Sequence, residues 1–283
     1  MTTLNAAEDE GLVQGDLPDY DPCYDDLWGH PKPLWMLFMA EFWERFAFYG
    51  IRWALTLYIV AQFFNGDSSG QSFASNTYGS YLALVYGSAI FGGYIADKII
   101  GAQHSILIGA LLMAIGLFFI MLPTQAFFMI GLATVIVGNG LFKPNISNLV
   151  GKIYAEKDLR RDRGFSIFYM GINAGAMIAP IATQWLASTY TQTPMIDNYK
   201  VVFGAAGVGM LISYVWFYFG RRQLKTIGSV KKSPVRTKNL LFVIAGSIFS
   251  ILPVYALMVY AGAQVIAWIL FSLFIGLSLI LIV

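Results

Sequence analysis

Apolar residues run along this chain in eight long stretches, at about 34–63, 76–99, 104–122, 126–154, 163–188, 200–220, 238–260 and 263–283. Polar residues collect between them. Each stretch nears or exceeds the roughly 20 residues a helix needs to cross a hydrocarbon core. The runs are continuous, so they predict helices, which satisfy their own backbone polar groups in lipid. A membrane barrel would show short alternating segments. The expected fold is an all-α membrane protein of eight spans. Only 12% of the residues are charged, against about 25% in a soluble domain.

Basic residues fall in alternate loops. The loops after the first and third stretches have no Lys or Arg, and Lys98 marks the turn after the second. Lys152, Lys157, Arg160, Arg161 and Arg163 follow the fourth, and a basic run from Arg221 to Lys238 follows the sixth. The positive-inside rule then predicts a cytoplasmic N-terminus and cytoplasmic even-numbered loops in a multi-pass protein of the cell (inner or plasma) membrane. Residues 1–33 are acidic and polar and read as a largely disordered cytoplasmic tail. Residues 34–220 form a six-helix unit, 221–237 a basic cytoplasmic linker, and 238–283 a pair of accessory spans. From Asn239 to Val283 there is no charged residue, and the chain stops on an apolar residue after its last helix. It is expected to be the front portion of a longer protein.

The first stretch carries four charges, Glu41, Glu44, Arg45 and Arg52. At a helix centre they cost on the order of 10–14 kcal/mol together, about twice what the apolar residues around them return. They must therefore face protein or a watery cavity. With Phe48 they fall on one stripe about 100° wide. Glu41 and Arg45 stand at i and i+4, a favourable pair orientation, which leaves Glu44 without a partner on its own helix. The fourth stretch carries one charge, Lys143, in Gly138-Asn-Gly-Leu-Phe-Lys-Pro-Asn145. Pro144 implies freed carbonyls beside that charge, and Lys143 is the expected partner of Glu44 or Glu41 across the bundle. The residues leave two readings open: an ion-pair lock between helices, or a titratable carboxylate beside a cation, which suits proton binding and release.

Asn173, in Phe168-Tyr-Met-Gly-Ile-Asn-Ala-Gly175, is expected to be a buried amide that needs a helix or ligand partner. Tyr81 and Tyr86 leave a similar choice between interface anchors and ligand contacts. Asn145-Ile-Ser147 matches a glycosylation sequon, but within an apolar helix no transferase reaches it. One cysteine, Cys23, and two distant histidines, His30 and His104, make no metal site or disulfide framework, and no cofactor is expected. No phosphate-binding Gly-rich loop, nucleophile elbow or zinc-protease motif is present. The chain is not expected to be an enzyme or to bind nucleotide or nucleic acid.

Gly93-x-x-x-Asp97-x-x-x-Gly101 closes the second stretch, where two glycines let helix and loop approach and Asp97 can cap a neighbour. Together with Glu41-Phe-Trp-Glu44-Arg45-Phe46, Tyr49-Gly50, Arg52, Phe142-Lys-Pro-Asn145 and Phe168-Tyr169 to Asn173-x-Gly175, it resembles the signatures of the proton-dependent oligopeptide transporters of the major facilitator superfamily, in their bacterial type. The resemblance covers about 34–220, the N-terminal six-helix bundle, and the pair at 238–283 is similar to the insertion between the two bundles of bacterial members.

It implies peptide transport: proton symport of di- and tripeptides by alternating access. It further implies that Glu41, Glu44 and Lys143 couple protons, that Arg45, Tyr49, Arg52, Tyr86, Lys143 and Asn173 contact the peptide, and that Asp97 serves the gate. Two departures stand out. Phe48 replaces a tyrosine common in the family, and the C-terminal six-helix bundle is absent from this chain. The rival expectations are a proton-coupled symporter of another small anionic solute, such as an amino acid or nitrate, and a non-transporting half-transporter subunit.

Overall fold

The structure is a computed structural model that describes residues 24–189, 195–229 and 234–282. The tail up to Cys23 and Lys231 and Lys232 of the basic run lie outside the described residues. Among the described residues nine α-helices follow one another: α1 (Lys32–Gly50), α2 (Arg52–Phe63), α3 (Gly70–Ile95), α4 (Ala102–Ile120), α5 (Gln125–Lys152), α6 (Arg161–Thr189), α7 (Met195–Gly220), α8 (Pro234–Ala256) and α9 (Gly262–Ile282). Helices α1 and α2 continue one span, and π-helical turns follow α3 (Ala96–Ile100) and α8 (Leu257–Ala261). Local signals agree with these bounds. Pro33 sits in the first turn of α1, where its missing N–H costs nothing. The Thr124 hydroxyl caps α5 by accepting from Phe127 N at 3.4 Å.

Among the described residues seven helical stretches, and not the expected eight, are long and apolar enough to cross a membrane. The first six keep the expected order. The last, Thr237–Gly276, is 40 residues long, about 60 Å of helix and twice a hydrocarbon core. No polar loop divides it. The backbone turns inside it at Gly262, φ +69°, where the Asn76 side-chain oxygen accepts from Ala263 N at 2.8 Å. Helix α8 then lies against α5, and α9 runs alongside α3 with Ala263 at Gly79 and Leu270 at Gly87.

The closest pairing is α4 with α5, while α1 lies between α6 and α7 and α3 lies on α5. Without a hydrophobic driving force between lipid-immersed helices, such contacts depend on small residues that let backbones approach. Gly109 faces Gly138 and Gly116 faces Gly131 across α4 and α5, and a Cβ on any of the four would meet the opposite carbonyl oxygen at 2.6–2.7 Å.

Ahead of α1, residues 26–31 form a two-residue antiparallel hairpin, with Asp26 opposite Pro31 and Leu27 opposite His30. Arg160, in the α5–α6 loop, ties it down by donating to Asp26 Oδ2 at 2.7 Å, Gly29 O at 3.3 Å and both Asp158 oxygens at 2.9–3.2 Å. Buried His30 places Nδ1 2.8 Å from the Tyr154 hydroxyl. Half-exposed ion pairs contribute about 0.2–1 kcal/mol each. Arg160→Ala should therefore raise amide hydrogen exchange in the hairpin about 5- to 30-fold, equivalent to about 1–2 kcal/mol. Hydrogen bonds from Arg160 hold the Asp158 carboxyl below its usual range. This part of the tie is complete above about pH 4, the ordinary carboxylate value, and is lost as pH falls through the folded value.

Candidate functional site

The charged stripe of α1 turns inward. Glu41, Glu44 and Arg45 are 1%, 0% and 2% exposed, sealed where α1 crosses α5 beside α6. Gly175 of α6 makes this approach feasible, since a Cβ there would press on Phe42 O at 2.6 Å and Arg45 Cβ at 3.0 Å. Arg45 Nε lies 3.4 Å from Glu41 Oε1, as the i, i+4 spacing predicts.

Glu44 differs from expectation. Its cation is not Lys143 but its neighbour Arg45, which grips both carboxylate oxygens through Nε and Nη2, the latter at 2.5 Å. Adjacent residues on a helix do not face each other, yet the long guanidinium folds back and its planar fork matches the carboxylate. Across the bundle Glu44 Oε1 accepts from Asn139 Nδ2 of α5 at 3.0 Å. Asn139 was missed by sequence reading. Its signal is a lone amide, one turn before Lys143, on an otherwise apolar face.

Two carboxylates thus share one guanidinium in a buried site. Glu41 Oε2, Asn139 Oδ1 and the Tyr81 hydroxyl are buried there without a hydrogen-bond partner. Each such group costs about 1–3 kcal/mol. The Arg45 guanidinium also lies 4.8 Å from the Phe48 ring centroid, and Phe48 stacks on Tyr81.

Lys143 senses the charges of Arg45, Glu44 and Glu41 but makes no ion pair within 4.0 Å among the described residues. Its ammonium lies 5.1 Å from the centre of the Tyr86 ring, a cation–π contact. Pro144 follows it on α5, and the carbonyl that Pro144 frees, Gly140 O, abuts Gly92 of α3. Arg52 is exposed, donates to the Tyr78 hydroxyl at 2.6 Å and lies 5.5 Å from the Tyr49 ring.

The structure therefore brings Glu41, Glu44, Arg45 and Asn139 together, seats Lys143 on Tyr86, and seats Arg52 on Tyr49 and Tyr78. Tyr86 is 60% exposed. Asn173 is not the buried amide expected: it is exposed on α6, because Gly171 and Gly175 occupy the face that meets α1. Asp97 stands apart, in the π-helical turn after α3, with Lys152 Nζ at 4.0 Å.

A family model described as the POT family matches residues 103–279. Dipeptide and tripeptide permease B of Xenorhabdus bovienii (strain SS-2004) is 40% identical over 227 residues, covering 78% of this chain and 44% of that protein. Among solved structures, a bacterial homologue of the human drug peptide transporters PepT1 and PepT2 superposes with a TM-score of 0.75 at 29% identity, covering 88% of this chain and 54% of that one. A point mutant of a peptide transporter POT in complex with alafosfalin superposes with a TM-score of 0.68 at 36% identity, covering 83% of this chain and 48% of that one. The chain spans less than half the length of the curated relatives it matches.

Proposed function

Because the chain belongs to the POT family, we propose that it is the N-terminal portion of a secondary active transporter that couples protons to the symport of di- and tripeptides by alternating access. Residues 34–220 are the N-terminal six-helix bundle of the major facilitator architecture. Residues 1–33 are its cytoplasmic tail, 221–237 the linker and 238–283 the accessory pair, in the cell membrane with the N-terminus cytoplasmic. The C-terminal bundle would supply the other wall of the peptide site.

The observation that carries this reading is the charge count of the buried site: Glu41 and Glu44 against Arg45 alone. A proton is the ion that balances such a site, since it turns an acceptor-only carboxylate into a donor and frees part of the guanidinium. Glu41 Oε2, buried without a donor, is one place it can sit. Lys143 and Arg52 rest on aromatic rings, with no carboxylate within ion-pair distance among the described residues. Both suit a peptide carboxylate, with Tyr49, Tyr86 and Asn173 beside it and Asp97 at the cytoplasmic gate.

Uptake of a labelled dipeptide into liposomes by the full transporter tests the reading. Accumulation should follow an imposed pH gradient and stop when the gradient is collapsed; accumulation that ignores the gradient would refute coupling. Lys143→Ala should weaken peptide affinity about 10- to 100-fold, the scale of one charge-assisted hydrogen bond of about 1.5–3 kcal/mol.

A further inference from the structure

We propose that the groove between α1 and α7, at the end of the bundle that carries the basic loops, binds an anionic phospholipid. Its acyl chain lies along the two helices, and its phosphodiester is held at the rim by Lys32 and Arg222.

The groove has a volume of about 1080 Å³, just above the range of ligand pockets, about 300–1,000 Å³. It is amphipathic along its length. On α7 its wall is apolar through Leu211, Val215 and Phe219, then turns polar at Gln223 just beyond the helix; on α1 it opens at Lys32. Both basic ends lie where the spans Lys32–Phe63 and Asn198–Leu224 terminate, the depth at which lipid headgroups sit. Three of the chain's seven tryptophans, Trp28, Trp35 and Trp216, line it. Indoles favour this depth because one edge is apolar and the N–H wants a polar partner. Trp35 already donates to Leu27 O at 2.9 Å.

Trp28 supplies an independent observation. It and Gly29 occupy the hairpin turn with φ +53° and +77°, a type I′ geometry that favours Asn-Gly. A tryptophan in left-handed backbone is strained, and here it is 78% exposed, edge-on to Trp35 at 4.8 Å. Nothing in the turn requires an indole, whereas a bilayer interface favours one.

The rim is cationic. Gln223 continues the groove wall into the 3₁₀ turn Arg221–Leu224, and Arg222, exposed beside it, stands at the rim. Arg221 stacks on Tyr218 at 4.8 Å, and Lys225 lies over Tyr24 at 5.3 Å. The facing anion is Asp25, 3.2 Å from Lys32 and 84% exposed, an ion pair that holds weakly against competition. Asp26 is engaged by Arg160.

Native mass spectrometry of the full transporter, in micelles containing palmitoyl-oleoyl phosphatidylglycerol or the phosphatidylcholine of identical chains, reads the site without any transport assay. Phosphatidylglycerol should be retained roughly 30-fold over phosphatidylcholine, the scale of two basic side chains at a charged surface. Lys32→Gln with Arg222→Gln should remove that preference. Leu211→Trp, which fills the groove, should lower retention of both lipids. Trp28→Asn should also lower both while keeping the unfolding midpoint, because asparagine suits the turn. Equal retention of the two lipids by the wild type, or unchanged retention in these variants, overturns the proposal. So does a dimer that Leu211→Trp dissociates while lipid retention stays the same.

Discussion

Glu44→Gln in the full transporter abolishes accumulation of a labelled dipeptide driven by a pH gradient, while exchange of peptide across the membrane at equal pH persists. This is the largest functional effect expected in the chain. Gln is a neutral mimic of the protonated side chain, so steps that need Glu44 uncharged continue, and steps that need it to release a proton do not. The fold should tolerate the change. Arg45 keeps Glu41 at 3.4 Å, and the remaining amide oxygen can still accept from Asn139, which donates to Glu44 Oε1 at 3.0 Å. One half of the Arg45 fork loses its acceptor, a cost of about 1–3 kcal/mol. Proton-driven accumulation equal to wild type would remove Glu44 from the coupling site. Loss of exchange together with accumulation, with the unfolding midpoint kept, would make Glu44 a structural partner of Arg45 and not a proton carrier.

The second large effect is on folding, and it separates two adjacent glycines. A Cβ on Gly92 would overlap the Gly140 carbonyl oxygen and sit 2.9 Å from Leu141 N. Both are backbone atoms of α5 that no side-chain rotation can move. Asn145 straps the same crossing, donating to Gly92 O at 3.1 Å and Leu141 O at 2.7 Å. Overpacking typically costs about 1–3 kcal/mol, more where backbone must shift. Gly92→Ala should exceed about 3 kcal/mol and lower the yield of monodisperse protein. A Cβ on Gly93 would meet only Pro144 Cβ at 3.9 Å, an ordinary contact. Gly93→Ala should be neutral or stabilising by up to about 1 kcal/mol, the helix-propensity gain. Thermal unfolding in detergent measures both, and equal shifts would refute the crossing described.

Much of the molecule was legible in its residues. Hydropathy is additive along the chain, so the order of the spans could be read directly, and charges inside spans are costly enough to mark a site wherever they occur. The expected pair Glu41–Arg45 follows from helical spacing alone. Other features depend on how each helix is rotated and where it crosses its neighbour. Spacing on α1 leaves Glu44 unpaired because backbone geometry says nothing of an arginine that folds back on the preceding residue. Lys143 and Glu44 lie near the middle of their spans, but the α1–α5 crossing sets Asn139 against Glu44 and leaves Lys143 on Tyr86. Asn173 reads as buried because its helix is apolar, yet its flanking glycines mark the packed face and the amide turns away.

By itself the sequence determined an all-α membrane protein, the order of its helices and the residues whose charge must be accommodated inside it, because these follow from transfer free energies summed over neighbours in the chain. Only the tertiary structure decided that Arg45 serves two carboxylates, that Asn139 completes them, that Gly92 and not Gly93 carries the α3–α5 contact, and that Trp28 and Lys32 meet α7 in one groove. Those outcomes rest on helix rotation, crossing depth and rotamer choice between residues far apart in sequence, which no local pattern encodes.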